Sequence, residues 1–454
     1  MRGLSSTLQG RSALPIHVAT AVDMGLPLPV AAGEPVRICA SAKNRSQIAA
    51  AFGDAAIVAI QGVILDVLSR SLSSASHFIS ETLVEGDLVF IEIAARLSPV
   101  DLARLIEALS QALALEPVVI GEDRIHIAPS VRLAGEPDAD QAYVEGHFGG
   151  GSAAGRREWM DCYRRDMATV AQLFEDLNAD RLTFARQPIR MAQAPDRLLY
   201  EEFLLRRTEG SHTVGGAGVG ILAAERLGLV RVLDNYVVRS AVSLMRYDPG
   251  LRLGVNISAQ SVCLDEWWTV LENELEAESD LAERLIIEIT ETAGFSSIIA
   301  ATAFARRMGA LGCRIALDDF GMGRDAIKNL YALKPNIVKV DAFFVHDARD
   351  SASGQSALKS LVGFSRAIGG AVVVEGIETK ADSDAASLAG AIWQQGHFIQ
   401  PPKLADHPVQ EGQTGEADPL PVPSPYHLRS VFLLAVPLWA LGIAVMWLVW
   451  SGIT

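Results

Sequence analysis

Cys313-Arg314-Ile315-Ala316-Leu317-Asp318-Asp319-Phe320-Gly321 is the stretch whose reading decides the fold of this chain. A short β-prone apolar run ends in two adjacent carboxylates, with glycines at 321 and 323. Such a run reads as a buried strand that delivers two acids to its C-terminal end. Successive side chains of a strand point to opposite faces, so both acids face one site only where the chain turns. Gly321 and Gly323 permit that turn. Two carboxylates this close repel unless a proton or a cation lies between them. A helix N-cap would explain a single Asp. A pair at the end of an apolar strand, with more acids arriving the same way, points to a divalent metal site.

Outward from this stretch the chain alternates strand and helix from about residue 181. Candidate strands are 181–189, 198–205, 251–257, 285–290, 313–318, 337–341, 371–375 and 392–399, with helical stretches such as 232–247, 298–311 and 357–368 between them. Eight strands in this pattern predict an α/β fold of the (β/α)8 TIM-like barrel type, with chemistry at the C-terminal strand ends. Six consecutive strands place Asp, Glu, Asn or Lys near that end: Glu202, Asn256, Glu288, Asp318 with Asp319, Lys339 with Asp341, and Glu375. A parallel strand is buried on both faces, so an unpaired acid in it is costly without a partner. Acids and an amide without histidines suit Mg²⁺ or Mn²⁺. Two such ions a few Å apart suit attack of water on a phosphodiester.

The chain has 454 residues, half of them hydrophobic, and a net charge of −15. Its length allows two or three domains. The negative balance argues against binding a nucleic acid polymer through a general basic surface, though not against a small phosphate ligand. Four scattered cysteines form no CxxC pair, which fits a reducing compartment. Nine histidines show no ligand spacing. No apolar segment of signal-peptide type follows Arg2 and Arg11. At the other end, residues 431–450 form a twenty-residue run without a charge. At about 1.5 Å per residue this spans a hydrocarbon core of roughly 30 Å. Arg429 precedes the run and no Lys or Arg follows, which places the body of the protein in the cytoplasm. The expectation is a transmembrane helix over 429–452, a single-pass C-terminal anchor, reached by a flexible tether over 406–428.

Residues 1–140 read as a small α/β domain. The apolar run 55–64 is followed by a hairpin over 83–94 with its turn at Glu85-Gly86-Asp87, an amphipathic helix over 100–115, and strands over 117–120 and 125–131. A glycine-rich hinge and a connecting helix occupy 141–180, the helix over 157–177. The order hairpin, helix, strand, strand resembles the second half of a GGDEF (diguanylate cyclase) domain. The resemblance places Leu88 where that family carries an acid for metal and catalysis. It implies a degenerate domain that makes no cyclic di-GMP and serves a structural, regulatory or dimer-forming role. An unrelated α/β domain with a Gly-Asp turn is the alternative.

From about 182 to 402 the chain resembles the EAL-domain cyclic di-GMP phosphodiesterases. The motifs are Gln187-Pro188-Ile189; Glu202-Phe203-Leu204-Leu205-Arg206, where the family has Glu-Ala-Leu-Leu-Arg; Val255-Asn256-Ile257-Ser258; Glu288-Ile289-Thr290-Glu291; Asp318-Asp319-Phe320-Gly321; Lys339-Val340-Asp341; Glu375-Gly376-Ile377-Glu378; and Gln395-Gly396. They occur in family order. The resemblance implies that Glu202, Asn256, Glu288 and Asp318 hold one metal, and that Asp318, Asp319 and Glu375 serve a second. Lys339 would contact the attacking water. Glu375 stands either as metal ligand or as general base. Asp341 would support the metal-water network. Arg206 would pair with a ligand phosphate. Gln187 and Gln395 would hold the ligand, and Glu291 and Glu378 would steady the surrounding loop.

The implied activity is metal-dependent hydrolysis of cyclic di-GMP to linear pGpG by a homodimer at the bacterial inner membrane. Two departures stand out. Phe203 replaces the small residue of the Glu-Ala-Leu signature and is expected to repack the barrel. Met322-Gly323-Arg324-Asp325-Ala326 replaces the usual Thr-Gly-Tyr-Ser-Ser in a loop that links metal site and dimer interface in the family. The rival readings are a binding module that holds cyclic di-GMP without turnover, and a membrane-tethered scaffold that binds no nucleotide.

Overall fold

The computed structural model describes residues 35–405, apart from 75–78, 95–96, 136–152, 210–211, 291–293 and 324. The expected tether and transmembrane helix therefore lie outside the described residues, as does most of the glycine-rich hinge.

The N-terminal part is a four-stranded antiparallel sheet in the order Ile79–Glu85, Leu88–Ile93, Val36–Ala42, Pro129–Leu133. The expected hairpin is present, with Glu85 opposite Leu88 and Gly86 and Asp87 as its two-residue turn. Gly86 takes φ +61, the left-handed conformation such a turn requires. The tip is tied down: Arg45 pairs with Asp87 at 2.6 Å, and Gln61 donates to the Gly86 carbonyl. The helix Asp54–Ser74 is long and apolar enough to cross a membrane. It buries Ala56, Ile60, Ile64, Leu68 and Leu72 in the core of this part.

One strand expected over 125–131 is divided in two. Asp123–Ile125 pairs in a hairpin with Val118–Ile120, and Pro129–Leu133 joins the sheet. The break has a physical cause. The His126 N–H donates to Met167 Sδ at 3.2 Å and the Ala128 N–H to Asn44 Oδ1 at 2.8 Å, so side chains take the backbone groups a continuous strand would need. The connecting helix forms over Ala153–Asn178 and contributes Met167 and Tyr163 to this junction.

The barrel strands are β1 (Leu182–Met191), β2 (Ala194–Glu209), β3 (Leu253–Ser258), β4 (Leu285–Thr290), β5 (Arg314–Phe320), β6 (Ile337–Val340), β7 (Ala371–Val374) and β8 (Trp393–Gln394). β2 pairs with β3, each later strand with the next, and both β8 and β2 with β1, so the sheet closes. Eight strands form at or near the expected positions, the last being only Trp393–Gln394 within the expected 392–399, but the uniform (β/α)8 pattern needs correction. β1 is antiparallel to both its neighbours, while β2 to β8 run parallel. Only two residues, Ala192 and Gln193, join β1 to β2, and so short a link can connect antiparallel strands only.

Period-two alternation then builds the interior in layers. Ile189, Tyr200, Ile286, Ala316, Ile337 and Val373, with Trp393 packed against them, form one apolar layer. Gly254 supplies the place of β3 in that layer, and a Cβ there would overlap both the Tyr200 ring and Glu288 Oε1. Two residues further toward the mouth along each strand come Gln187, Glu202, Asn256, Glu288, Asp318, Lys339, Glu375 and Gln395. Phe203 behaves as expected: it points outward and stacks on Phe184 with ring centroids 4.1 Å apart, in the apolar layer between barrel and helices.

The N-terminal part meets the barrel through the helix Pro99–Leu115. Glu107 accepts from Asn235 at 2.9 Å and pairs with Arg239 at 3.3 Å, both on the barrel helix Val230–Tyr247.

The crowding at position 254 gives a direct check. Gly254→Ala should lower unfolding stability by about 1–3 kcal/mol, the range for overpacking a filled interior. Urea denaturation measures it, and an unchanged midpoint would contradict the layer arrangement.

Candidate metal centre at the barrel mouth

The polar layer is organised around Lys339. Its Nζ lies 2.6 Å from Glu288, 2.8 Å from Glu375, 3.0 Å from Asp318 and 3.5 Å from Glu202. Lys339 and Glu288 are 0 % exposed. With Asp319 these acids carry five formal negative charges against one positive, a deficit of four that two divalent cations would neutralise. Glu202, Glu288 and Asp318 can offer three oxygens within 4.8 Å of one another, as can Asp318, Asp319 and Glu375. These are the two groupings that the family resemblance implies.

Strand register explains the first grouping. Asn256 lies opposite Glu288, while Glu202 lies opposite Gly254 and Asp318 opposite Thr290, each two residues from the next ligand strand's acid or amide; the stagger of tilted barrel strands brings these side chains to one layer. The second grouping depends on a bulge. Leu317 pairs with Val338 but Phe320 pairs with Val340, so the Asp-Asp strand carries one extra residue. Asp319 sits at φ +52, an unusual conformation for a residue with a side chain. The turn that brings both acids to one site is therefore made at Asp319 itself. Gly321, expected to supply it, has φ +107 and serves close packing, since a Cβ there would overlap the Phe344 ring.

The electrostatics follow from burial. Burial pushes the Glu288 carboxyl up to about 8; Lys339 opposes this, while Glu202 and Asp318 add to it. Burial, then the charges of Asp318 and Asp341, raise Asp319 to about 6. Burial also raises Asp318, and it raises Glu375 far above the usual carboxylate range. Glu202 is the exception. Burial opposes its charge, but Lys339 and the hydrogen bonds from Gln395 and Asn256 together hold it below the ordinary value. For Lys339 burial opposes the ammonium, and the surrounding carboxylates outweigh it.

The residues present fit a pair of hard divalent cations. Glu288 Oε1 and Asn256 Oδ1 are buried and have no hydrogen-bond partner among the described residues. Orphaned acceptors of this kind are what a cation would satisfy. Asn256 itself donates through Nδ2 to Glu202 at 2.6 Å, which leaves its oxygen free.

The other expected site residues divide. Gln395 donates to Glu202 and, at 3.4 Å, to Gln187. It thus orients an acid in addition to any contact with a ligand. Gln187 also donates to the Gln400 carbonyl at 3.3 Å. Arg206, on β2, donates to the Leu205 carbonyl at 3.1 Å and forms no salt bridge among the described residues. Asp341 is the N-cap of the helix Ala342–Asp350, accepting from the Phe343 N–H at 2.8 Å. Glu378 lies on the loop after β7 and pairs with His397 at 3.2 Å. Glu291 lies outside the described residues. Sequence reasoning passed over Tyr200 and Gly254, which floor the site. The signal was available, because each stands two residues before a polar-layer residue.

Three comparisons bear on this geometry. The family model described as EAL domain matches residues 170–402. A bifunctional diguanylate cyclase/cyclic di-GMP phosphodiesterase, MucR of Pseudomonas aeruginosa, is 25% identical over 338 residues, covering 71% of this chain and 49% of the relative. The cyclic di-GMP phosphodiesterase PdeB of Shewanella oneidensis is 27% identical over 243 residues, covering 52% and 28%. The chain thus spans about half the length of the first relative and less of the second. The solved PaMucR phosphodiesterase in complex with c-di-GMP is 25% identical with a TM-score of 0.47, over 52% of this chain and 97% of that one.

The raised acids set a pH dependence. Their folded pKa values lie above the ordinary carboxylate value of about 4. The stability they lend the metal-free fold is therefore full below about pH 4. It is lost as pH rises through about 6 for Asp319 and about 8 for Glu288. A cation binds the deprotonated forms, so its stabilising effect should grow over the same window. The rise in Tm on adding Mn²⁺ should be larger at pH 8 than at pH 6, and calorimetry should detect proton release on binding. A pH-independent rise without proton release would contradict this account.

Proposed function

The chain belongs to the EAL domain family, and we propose that it hydrolyses one phosphodiester bond of cyclic di-GMP to give linear pGpG. The observation that carries this reading is a set of five buried or half-buried carboxylates, four of them against Lys339, in two overlapping groupings of acids. A scaffold has no use for so costly an arrangement. Relatives named as cyclic di-GMP phosphodiesterases support the substrate.

Glu202, Asn256, Glu288 and Asp318 would hold one cation, and Asp318, Asp319 and Glu375 the other, with Mg²⁺ or Mn²⁺ matching the oxygen donors. When bound, the ions would supply an activated water and charge neutralisation at phosphorus. Within the protein, the Lys339 ammonium would hold the water in line. Glu375, whose proton affinity is raised, would be placed to take up a proton if it is not itself a ligand. Arg206, which forms no salt bridge among the described residues, would be available to a ligand phosphate. Gln187 and Gln395 would line the same mouth.

The second reading is a binding module that holds cyclic di-GMP without turnover. It is favoured by one feature, the replaced loop Met322-Gly323-Arg324-Asp325-Ala326 directly after the Asp-Asp pair. Three further proposals concern context. A degenerate GGDEF-like N-terminal domain is supported by the tethered hairpin with Leu88 at its tip, and by the MucR match extending beyond the family region. Attachment to a membrane, with the barrel on the cytoplasmic side, is supported by the uncharged run 431–450. Pairing of two copies is supported by the exposed apolar side chains of Met322, Ile327, Tyr331 and Phe343 beside the loop.

The test is product analysis. Incubated with cyclic di-GMP and Mn²⁺, the full chain should release linear pGpG, and chelator should abolish release. Glu375→Ala should slow hydrolysis at least 100-fold, the scale of a lost general base or ligand, while nucleotide binding persists. Binding without product in the wild type would establish the binding module. A Glu375→Ala variant as fast as the wild type would contradict the assignment of the site.

A further inference from the structure

A second set of buried acids lies outside the barrel mouth, behind the end of β3. Asp234 is on the helix Val230–Tyr247 and Glu225 on the helix Gly218–Leu227, and they are 5% and 6% exposed. Neither forms a salt bridge among the described residues. Burial raises the Asp234 carboxyl to about 7 and raises that of Glu225 as well. Buried acids without an ion-pair partner among the described residues are expensive unless hydrogen bonds offset the cost, so what they hold matters.

Both hold Ser258, the last residue of β3. Asp234 Oδ2 accepts from the Ser258 N–H at 3.0 Å and from the Ser261 hydroxyl at 2.6 Å. Glu225 Oε1 accepts from the Ser258 hydroxyl at 2.6 Å, and its backbone carbonyl accepts from Gln260 Nε2 at 2.8 Å. The Trp268 indole N–H donates to the Ser261 carbonyl at 2.8 Å. The strand end and the short 3-10 turn Ala259–Ser261 are thus gripped from three helices. Asn256 lies two residues before Ser258, so both share one face of β3. Its only described side-chain hydrogen bond, to Glu202, leaves its oxygen uncommitted.

We infer that Asp234 is a positioning residue for Asn256, fixing the end of β3 so that the amide oxygen is presented to a cation. Asn256 enters as a ligand of the proposed metal centre, so the role of Asp234 depends on that reading. Asp234 is not in the proposed ligand set. It acts through the Ser258 backbone N–H, which loses this acceptor once the carboxylate is removed. A strand end released in this way drifts, and metal sites tolerate only about 0.5 Å of drift in a ligand. Groups that hold a ligand in place are typically worth 10–100-fold in metal affinity.

The test is Mn²⁺ affinity of the full chain by titration calorimetry, with circular dichroism to confirm folding. Asp234→Ala should weaken Mn²⁺ binding about 10–100-fold, and Asp234→Asn, which keeps an acceptor oxygen, should recover most of the loss. Asp176→Ala is the control. Asp176 is also a buried acid, but it is bonded to Gln172, Arg181 and Arg207, so its loss should lower stability and leave Mn²⁺ affinity unchanged. If Asp234→Ala does not fold, Ser261→Ala removes one of the two bonds to Asp234 and should weaken Mn²⁺ several-fold. Folded Asp234→Ala within twofold of the wild type, an equal loss in Asp176→Ala, or an unaffected Ser261→Ala standing in for an unfolded Asp234→Ala would overturn the role of Asp234 alone. Absence of Mn²⁺ binding by the wild type would overturn the metal centre and this role with it.

Discussion

A single buried ammonium among carboxylates is the constraint on which this structure depends. Lys339 reaches Glu288, Glu375, Asp318 and Glu202 from the middle of the barrel, where neither it nor Glu288 meets solvent. One cation cannot balance that many acids; burial first, and then the neighbouring acids, raise the proton affinity of Glu288, Asp318, Asp319 and Glu375. Removing a partner from such a cluster leaves an uncompensated buried charge. The arrangement is therefore poised: protons or divalent cations must complete it. Lys339 pairs with four of the acids in the metal-free chain.

The barrel delivers this cluster by a simple rule that is visible in the sequence. From each apolar-layer residue, two steps along the strand give a polar-layer residue: Ile286 to Glu288, Ala316 to Asp318, Ile337 to Lys339, Val373 to Glu375. Alternation and the strand ends alone locate these residues, which is why the central acids were legible before any coordinates. On β1 the same step runs backward along the chain, from Ile189 to Gln187, because β1 is antiparallel. Strand spacing could not reveal that reversal. The two-residue link at Ala192 and Gln193 could have done so, since a parallel crossover needs a longer connection.

What the sequence left hidden are choices made by local hydrogen bonding and backbone geometry. Nothing in Asp318-Asp319 says that the turn occurs at Asp319, at φ +52, rather than at the glycines after it. The bulge appears only when β5 is paired with β6. Asp341 looked like one more acid at a strand end, yet its carboxylate caps the helix that follows. Gln395, read as a ligand contact, also donates to Glu202 and so orients that acid. Residues 125–131 look like one strand because Ile125, Ile127 and Val131 alternate with His126, Ala128 and Ser130; Asn44 and Met167, distant in the chain, divide them. Asp341 apart, whose partner Phe343 is two residues on, the deciding partner is remote in sequence or the deciding variable is a dihedral angle.

The proposed role of the barrel mouth is to hold two divalent cations. Anomalous diffraction from crystals soaked in Mn²⁺ tests it most directly. The account predicts two peaks, one among Glu202, Asn256, Glu288 and Asp318 and one among Asp318, Asp319 and Glu375. Well-ordered acids around Lys339 with no anomalous peak between them, at saturating Mn²⁺ and a pH above 8, would contradict it.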